Sequence, residues 1–219
     1  MSDDQLMRDS SAMALGTIVS RITGLIRNLL LVALLGTALL GDTYNVANTM
    51  PNILYNLIIG GALTAVFVPQ IVRSLRDSDQ GAAFISRLFT ATLTFLFLLT
   101  AVGVLFAEKI VNIYAPDFSG RPEFDVTVSL MRYCLPQIFF LGLFALLGQI
   151  ANAKGKFGPM MWAPVINNLI VIALFSYFLI NKEDLKLATI SSSDLLWLGL
   201  GTTAGYIAQA FILFPVVIK

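Results

Sequence analysis

The chain has 219 residues, of which 57% are hydrophobic and only 12% charged, with a net charge of +1 and a mean hydropathy of +0.82. Soluble domains carry about 45–50% apolar and about 25% charged residues, so this balance points to an integral membrane protein. The chain has no histidine and one cysteine, Cys134, which excludes histidine acid–base chemistry, an internal disulfide and a Cys/His metal site.

Residues 1–11, with Asp3, Asp4, Arg8 and Asp9, lack a basic n-region and a cleavage site and read as a short retained tail. Apolar runs then predict about six transmembrane helices, near residues 13–36, 45–72, 84–107, 126–151, 159–180 and 195–218. The fold class is all-α, a polytopic membrane helix bundle. Residues 95–99 and 165–174 are apolar on all sides, as lipid-facing or deeply buried helices are. The long connection at 108–125 is broken by Pro116, Gly120 and Pro122. Loop charges favour a cytoplasmic N-terminus, because Arg73 and Arg76 in one short loop and Lys154 and Lys156 in another then lie inside.

The first span carries the chemistry. An arginine near the centre of a membrane helix costs about 2.5–3.5 kcal/mol on insertion scales, and this span holds Arg21 and Arg27 with no acidic residue. Thr17, Arg21, Gly24 and Asn28 follow at helical spacing, and Ser20 and Arg27 flank the stripe. Gly16, Ser20 and Gly24 permit close approach of a helix or ligand. A polar cavity lined by this face would bind an anion; the alternative is that both arginines snorkel or pair with acids elsewhere.

The second span repeats the pattern without charge, as Asn45, Asn48, Asn52 and Asn56, extended by Gly60 and Thr64. Such an amide row serves either as glue between helices or as hydrogen bonds to a polar ligand. Pro51, Gly60 and Gly61 mark bending points, and Asp42 is either a solvated loop acid or a latch for Arg27. Pro136, Pro159 and Pro164 break or start later helices. Gln137, Gln149, Asn152, Asn167 and Asn168 read as interhelical contacts or span ends. No nucleophile–base pair or phosphate loop is visible, so neither an enzyme nor a cofactor is expected, and the charge balance gives no sign of nucleic acid.

In order along the chain, Ser20-Arg21-Ile22-Thr23-Gly24-Leu25-Ile26-Arg27 resembles the S-R-x-x-G-x-x-R signature of the MurJ (MviN) lipid II flippases. Asp42 with Gly36 and Tyr44, Met50-Pro51-Asn52, Gly61-Ala62, Phe67-Val68-Pro69, Asn152, Phe157, Pro159, Ala163-Pro164 and Asn167 fit further motifs of that family. The resemblance implies a two-lobed exporter fold of the MOP superfamily, in the bacterial cytoplasmic (inner) membrane. Its substrate would be lipid II, an undecaprenyl-pyrophosphate-linked peptidoglycan precursor, moved from the inner to the outer leaflet by alternating access.

On that resemblance Arg21 and Arg27 match cavity arginines that handle pyrophosphate, and Asp42 an important acidic position. Asn28, Asn48, Asn52 and Asn56 would join them in substrate binding, with Asp42, Ser20 and Gly24 in gating. Tyr55, Asn56 and Gly60 stand where many relatives carry charges. The length implies a single N-terminal lobe over residues 1–219, completed by a C-terminal lobe or by a second chain. Two other readings are an exporter of another lipid-linked oligosaccharide and a non-transporting scaffold for cell-wall enzymes.

Overall fold

A computed structural model of the chain describes residues 3–36, 39–60, 68–74, 81–182 and 185–218. Thr64, Arg76, Gly61, Ala62 and Phe67 lie outside the described residues. The described chain runs through α1 (Asp3–Leu35), α2 (Leu39–Tyr55), a π-helical turn (Asn56–Gly60), α3 (Val68–Ser74), α4 (Ala82–Leu105) and α5 (Ala107–Tyr114). A 3₁₀ turn (Pro116–Phe118) leads to α6 (Pro122–Cys134), α7 (Gln137–Ala153), α8 (Gly158–Asn181), α9 (Ser192–Phe211) and the short α10 (Phe214–Ile218). Among the described residues, five stretches are long and apolar enough to cross a membrane: Ser10–Leu35, Ala82–Leu105, Pro122–Ala153, Gly158–Asn181 and Ser192–Val217. The second expected span is α2, whose 17 residues end in the π turn.

Prolines explain most of the breaks. Pro136 has no N–H to donate, so the fourth span divides into α6 and α7, with 3₁₀-type bonds from Ile138 N to Leu135 O and Phe139 N to Pro136 O (3.0 and 3.1 Å). Pro51 is buried within α2, and the π turn begins five residues later. In the long connection the structure adds a helix, α5, where prolines and glycine suggest a broken loop. Ala107, Ile110, Val111 and Tyr114 repeat at helical spacing, and the helix buries Ala107 and Val111.

The paired segment α6–α7 forms the centre, with 67% of its apolar window buried against 11% for Ser10–Leu35. Around it, α2 packs on α6 and α7, α4 on α7, and α9 on α6, α7 and α8. The long α1 lies along α8 and barely touches α2. Of the uniformly apolar run in α4, Leu96 is buried against Gly142, whereas Phe95, Phe97 and Leu98 face outward.

Helices in lipid gain little from hydrophobic exclusion, so close backbone approach and interhelical hydrogen bonds must hold them. A Cβ on Gly205 would sit 2.7 Å from Asn167 Oδ1 and 3.2 Å from the Asn167 carbonyl oxygen, so only glycine lets α9 approach α8 there. Next to it Asn167 Nδ2 donates to Gln209 Oε1 at 2.8 Å. On the other side of α8, a Cβ on Gly16 would meet the Trp162 indole nitrogen at 2.9 Å, while that nitrogen donates to Ala12 O at 3.1 Å. Gly24 is different: its nearest neighbour would be Asn168 Nδ2 at an ordinary 3.6 Å. Overpacking at a tight contact costs about 1–3 kcal/mol, so Gly205→Ala should lower the unfolding temperature in detergent by several degrees while Gly24→Ala leaves it unchanged.

Candidate functional site

Arg27 is held in place by the register of α1 on α8. Asn168 of α8 donates to Ser20 O and to Thr23 Oγ1, both at 3.0 Å, which fixes the rotation of α1 just before Arg27. The guanidinium then lines a cavity of about 170 Å³ among α1, α2, α8 and α9. Asn28 and Leu31 flank it on α1; Tyr44, Asn45, Asn48 and Thr49 come from α2; Val171, Phe175 and Thr202 close the far wall. Arg27 is half-buried, and among the described residues no carboxylate pairs with it.

The neutral walls are fixed by hydrogen bonds. Thr202 spends its proton on Leu198 O (2.6 Å), so Tyr44 is the donor in the 2.8 Å bond between Tyr44 Oη and Thr202 Oγ1. Gln137, placed at the start of α7 by the Pro136 break, donates from Nε2 to Asn48 Oδ1 and to Thr203 Oγ1, both at 3.3 Å. Thr203 in turn donates to Tyr133 O at 2.8 Å. With Oδ1 of Asn48 occupied from the core side, its amide N–H groups remain for the cavity. The cavity therefore offers a guanidinium fork and amide donors and suits an anion.

Arg27, Asn28 and Asn48 thus meet in one place, with Asn45 beside them. The other predicted residues lie elsewhere. Arg21 and Ser20 open onto a separate cleft of about 320 Å³, with Thr17, Phe144, Met160, Met161 and Pro164. The reason is helical geometry: six residues at about 100° each turn through about 600°, or about 240° past a full turn, so the two arginine side chains leave α1 about 120° apart. Asn52 lies beside the Tyr206 hydroxyl of α9 and accepts from Asn56 Nδ2 at 2.7 Å, so at this end of the row the two amides pair with each other. Asp42 is exposed in the first turn of α2, and among the described residues no ion pair joins it to Arg27. Gly24 faces Asn168 at ordinary contact distance.

Sequence reasoning missed Tyr44, Thr202, Tyr206 and the positioning role of Gln137. The proline before Gln137 was the available signal, because it forces a new helix start and aims the next side chain into the bundle.

The family model described as lipid II flippase MurJ matches residues 31–219. The arginine-bearing part of α1 precedes that match, but individual relatives extend across it. A probable lipid II flippase MurJ of Rickettsia prowazekii is 32% identical over 169 residues, covering 76% of this chain and 33% of the relative. One from Vibrio cholerae is 25% identical over 225 residues, covering 98% of this chain and 41% of the relative. Among solved structures, lipid II flippase MurJ in an inward closed conformation superposes with a TM-score of 0.74 at 24% identity, over 94% of this chain and 42% of that one. The chain thus spans well under half the length of the proteins it matches. By a family match that runs through most of its length, the chain belongs to the lipid II flippase MurJ family.

Proposed function

We propose that this chain is the N-terminal lobe of a lipid II flippase of the bacterial inner membrane, with Arg27 as the main contact for the substrate's pyrophosphate. The carrying observation is a guanidinium that lines a membrane-embedded cavity with amide donors and has no carboxylate partner among the described residues. Such a group needs an anion, and a low dielectric strengthens the contact. The apolar anchor of a lipid-linked substrate would stay in the bilayer beside it.

Cavity size bears on how much of the substrate this lobe holds. At about 170 Å³ it is smaller than the roughly 300–1,000 Å³ of pockets that enclose a drug-sized ligand, so it takes a phosphate-sized group and leaves the sugars to further walls. A second lobe, from the same protein or from another chain, would supply them, and rocking of the lobes would open the cavity to each side in turn. In that cycle Arg21, in its separate cleft with Ser20, serves a second stage of substrate passage, and Asp42 acts when the outer side closes. Asn28 and Asn48 bind from the cavity wall, Asn52 and Asn56 extend the amide row beyond it for later contact with the substrate, and Gly24 lets α1 slide past Asn168. The N-terminus lies in the cytoplasm.

Loss of a hydrogen-bonded charge costs about 1.5–3 kcal/mol, so Arg27→Gln in the full-length protein should weaken binding of a short-chain lipid pyrophosphate about 10- to 100-fold. Arg27→Lys should recover part of it, because a point charge replaces a bidentate fork. Complementation of cells depleted of their lipid II flippase is the test of function. Full rescue by an Arg21→Gln, Arg27→Gln double variant at normal abundance would overturn the arginine assignment, and rescue by the wild-type protein is required for the substrate assignment.

Orientation has its own test. With Cys134 buried and unreactive, a membrane-impermeant maleimide should label Arg121→Cys in intact cells and spare Lys154→Cys. The opposite pattern would place the N-terminus outside.

A further inference from the structure

A further cavity plays no part in the arginine site. It is a groove of about 580 Å³ between the end of α8 and the start of α9, lined by Leu174, Tyr177, Phe178, Lys182, Asp194 and Trp197, with Ser193 at its edge. Its two ends differ chemically. One is apolar and aromatic, with Phe178 at the floor and the rings of Tyr177 and Trp197 largely exposed on the walls. The other is charged: Lys182 Nζ lies 3.0 Å from Asp194 Oδ1.

The ion pair is built rather than incidental. Asp194 closes the capping box of α9, with Oδ2 accepting from the Ser191 hydroxyl at 2.7 Å and from Ser191 N at 3.3 Å. It is nearly buried, whereas the Lys182 side chain is 46% exposed. One Lys182 N–H is directed at Asp194, which leaves two for a ligand. The carboxylate keeps the ammonium at the groove mouth.

Position along the helices sets the depth. The apolar run of α8 ends at Ile180, so Lys182, Tyr177 and Trp197 stand where a span meets the headgroup region, the usual level of aromatic and basic anchors. A groove that is apolar towards the bilayer and charged at headgroup depth matches a phospholipid in shape and chemistry.

We propose that this groove binds one zwitterionic aminophospholipid, phosphatidylethanolamine. The Lys182 ammonium and the Ser193 hydroxyl donate to the phosphate, the headgroup amine lies towards Asp194, and the upper part of an acyl chain lies along Leu174, Tyr177 and Trp197. Charge complementarity selects this lipid over an anionic one. The lysine is already paired with a carboxylate, so the pair has no net charge to attract a headgroup of net negative charge. In the orientation proposed above, the site belongs to the outer leaflet. It does not depend on the substrate of the arginine cavity.

The test uses the full-length protein, delipidated in detergent and titrated with phosphatidylethanolamine, phosphatidylcholine or phosphatidylglycerol under native mass spectrometry. Wild type should bind one phosphatidylethanolamine at least about tenfold more tightly than either competitor. Lys182→Gln should abolish that preference. Ser193→Trp, which fills the mouth and leaves the ion pair and capping box intact, should remove the tight equivalent without lowering the unfolding temperature of the lipid-free protein. Equal retention of all three lipids by wild type and both variants would mean annular lipid only and overturn the proposal, as would a preference for phosphatidylglycerol. A photoreactive residue at position 193 that crosslinks to a protein segment in cells, and to no lipid, would overturn it in favour of a protein-covered groove.

Discussion

A polar group in hydrocarbon has no water to fall back on, and that constraint organises this lobe from its core to its cavities. Buried amides and hydroxyls are tied across helices: Asn167 to Gln209, Asn168 to the backbone and Thr23 of α1, Gln137 to Asn48 and Thr203, Tyr44 to Thr202. Each contact is worth only about 0.6 kcal/mol on average in membranes, too little to drive assembly alone. Their collective effect is to fix rotation and register, because a helix turned by one residue would leave several of them unsatisfied. The glycines at 16 and 205 then convert that register into close packing of α1 and α9 on the two sides of α8.

Arg27 carries a full charge in this scheme with no carboxylate partner among the described residues. Its neighbour Asn48 is fixed by one of the bonds that hold the bundle, so this donor is set before any ligand arrives. Preorganised donors in a low-dielectric site cost little reorganisation on binding. Gln137 carries this order from the core to the cavity: the Pro136 break aims it inwards, Thr203 anchors it, and it occupies the one oxygen of Asn48 that would repel an anion. At the other end of α8 the same economy produces the Lys182–Asp194 pair, where the helix cap of α9 also holds a charge at a groove mouth.

Much of this was legible in the sequence. Apolar runs separated by short polar loops give a membrane helix bundle, since a span of given length and composition has few other options. The break at Pro136 and the absence of an acid from the first span were visible as well, whereas Pro164, expected to break or start a helix, lies inside the continuous α8. The helix α5 was not, because Pro116 and Gly120 drew attention from the helical period of Ala107, Ile110, Val111 and Tyr114 just before them. Nor was the separation of Arg21 from Arg27. Both belong to one short motif, and helical rotation sends them to different clefts.

The sequence by itself determined the class of the protein and the presence of two arginines in a span with no acidic residue, because hydropathy and charge are local properties of the chain. Only the tertiary structure decided which polar residues share a cavity. That depends on helix rotation and on which neighbours meet each face, set by long-range contacts such as Asn168 with Thr23 and Gly205 with Asn167. The row Asn45, Asn48, Asn52 and Asn56 makes the point: helical spacing becomes a cavity wall at one end and a pair of mutually bonded amides beside Tyr206 of α9 at the other.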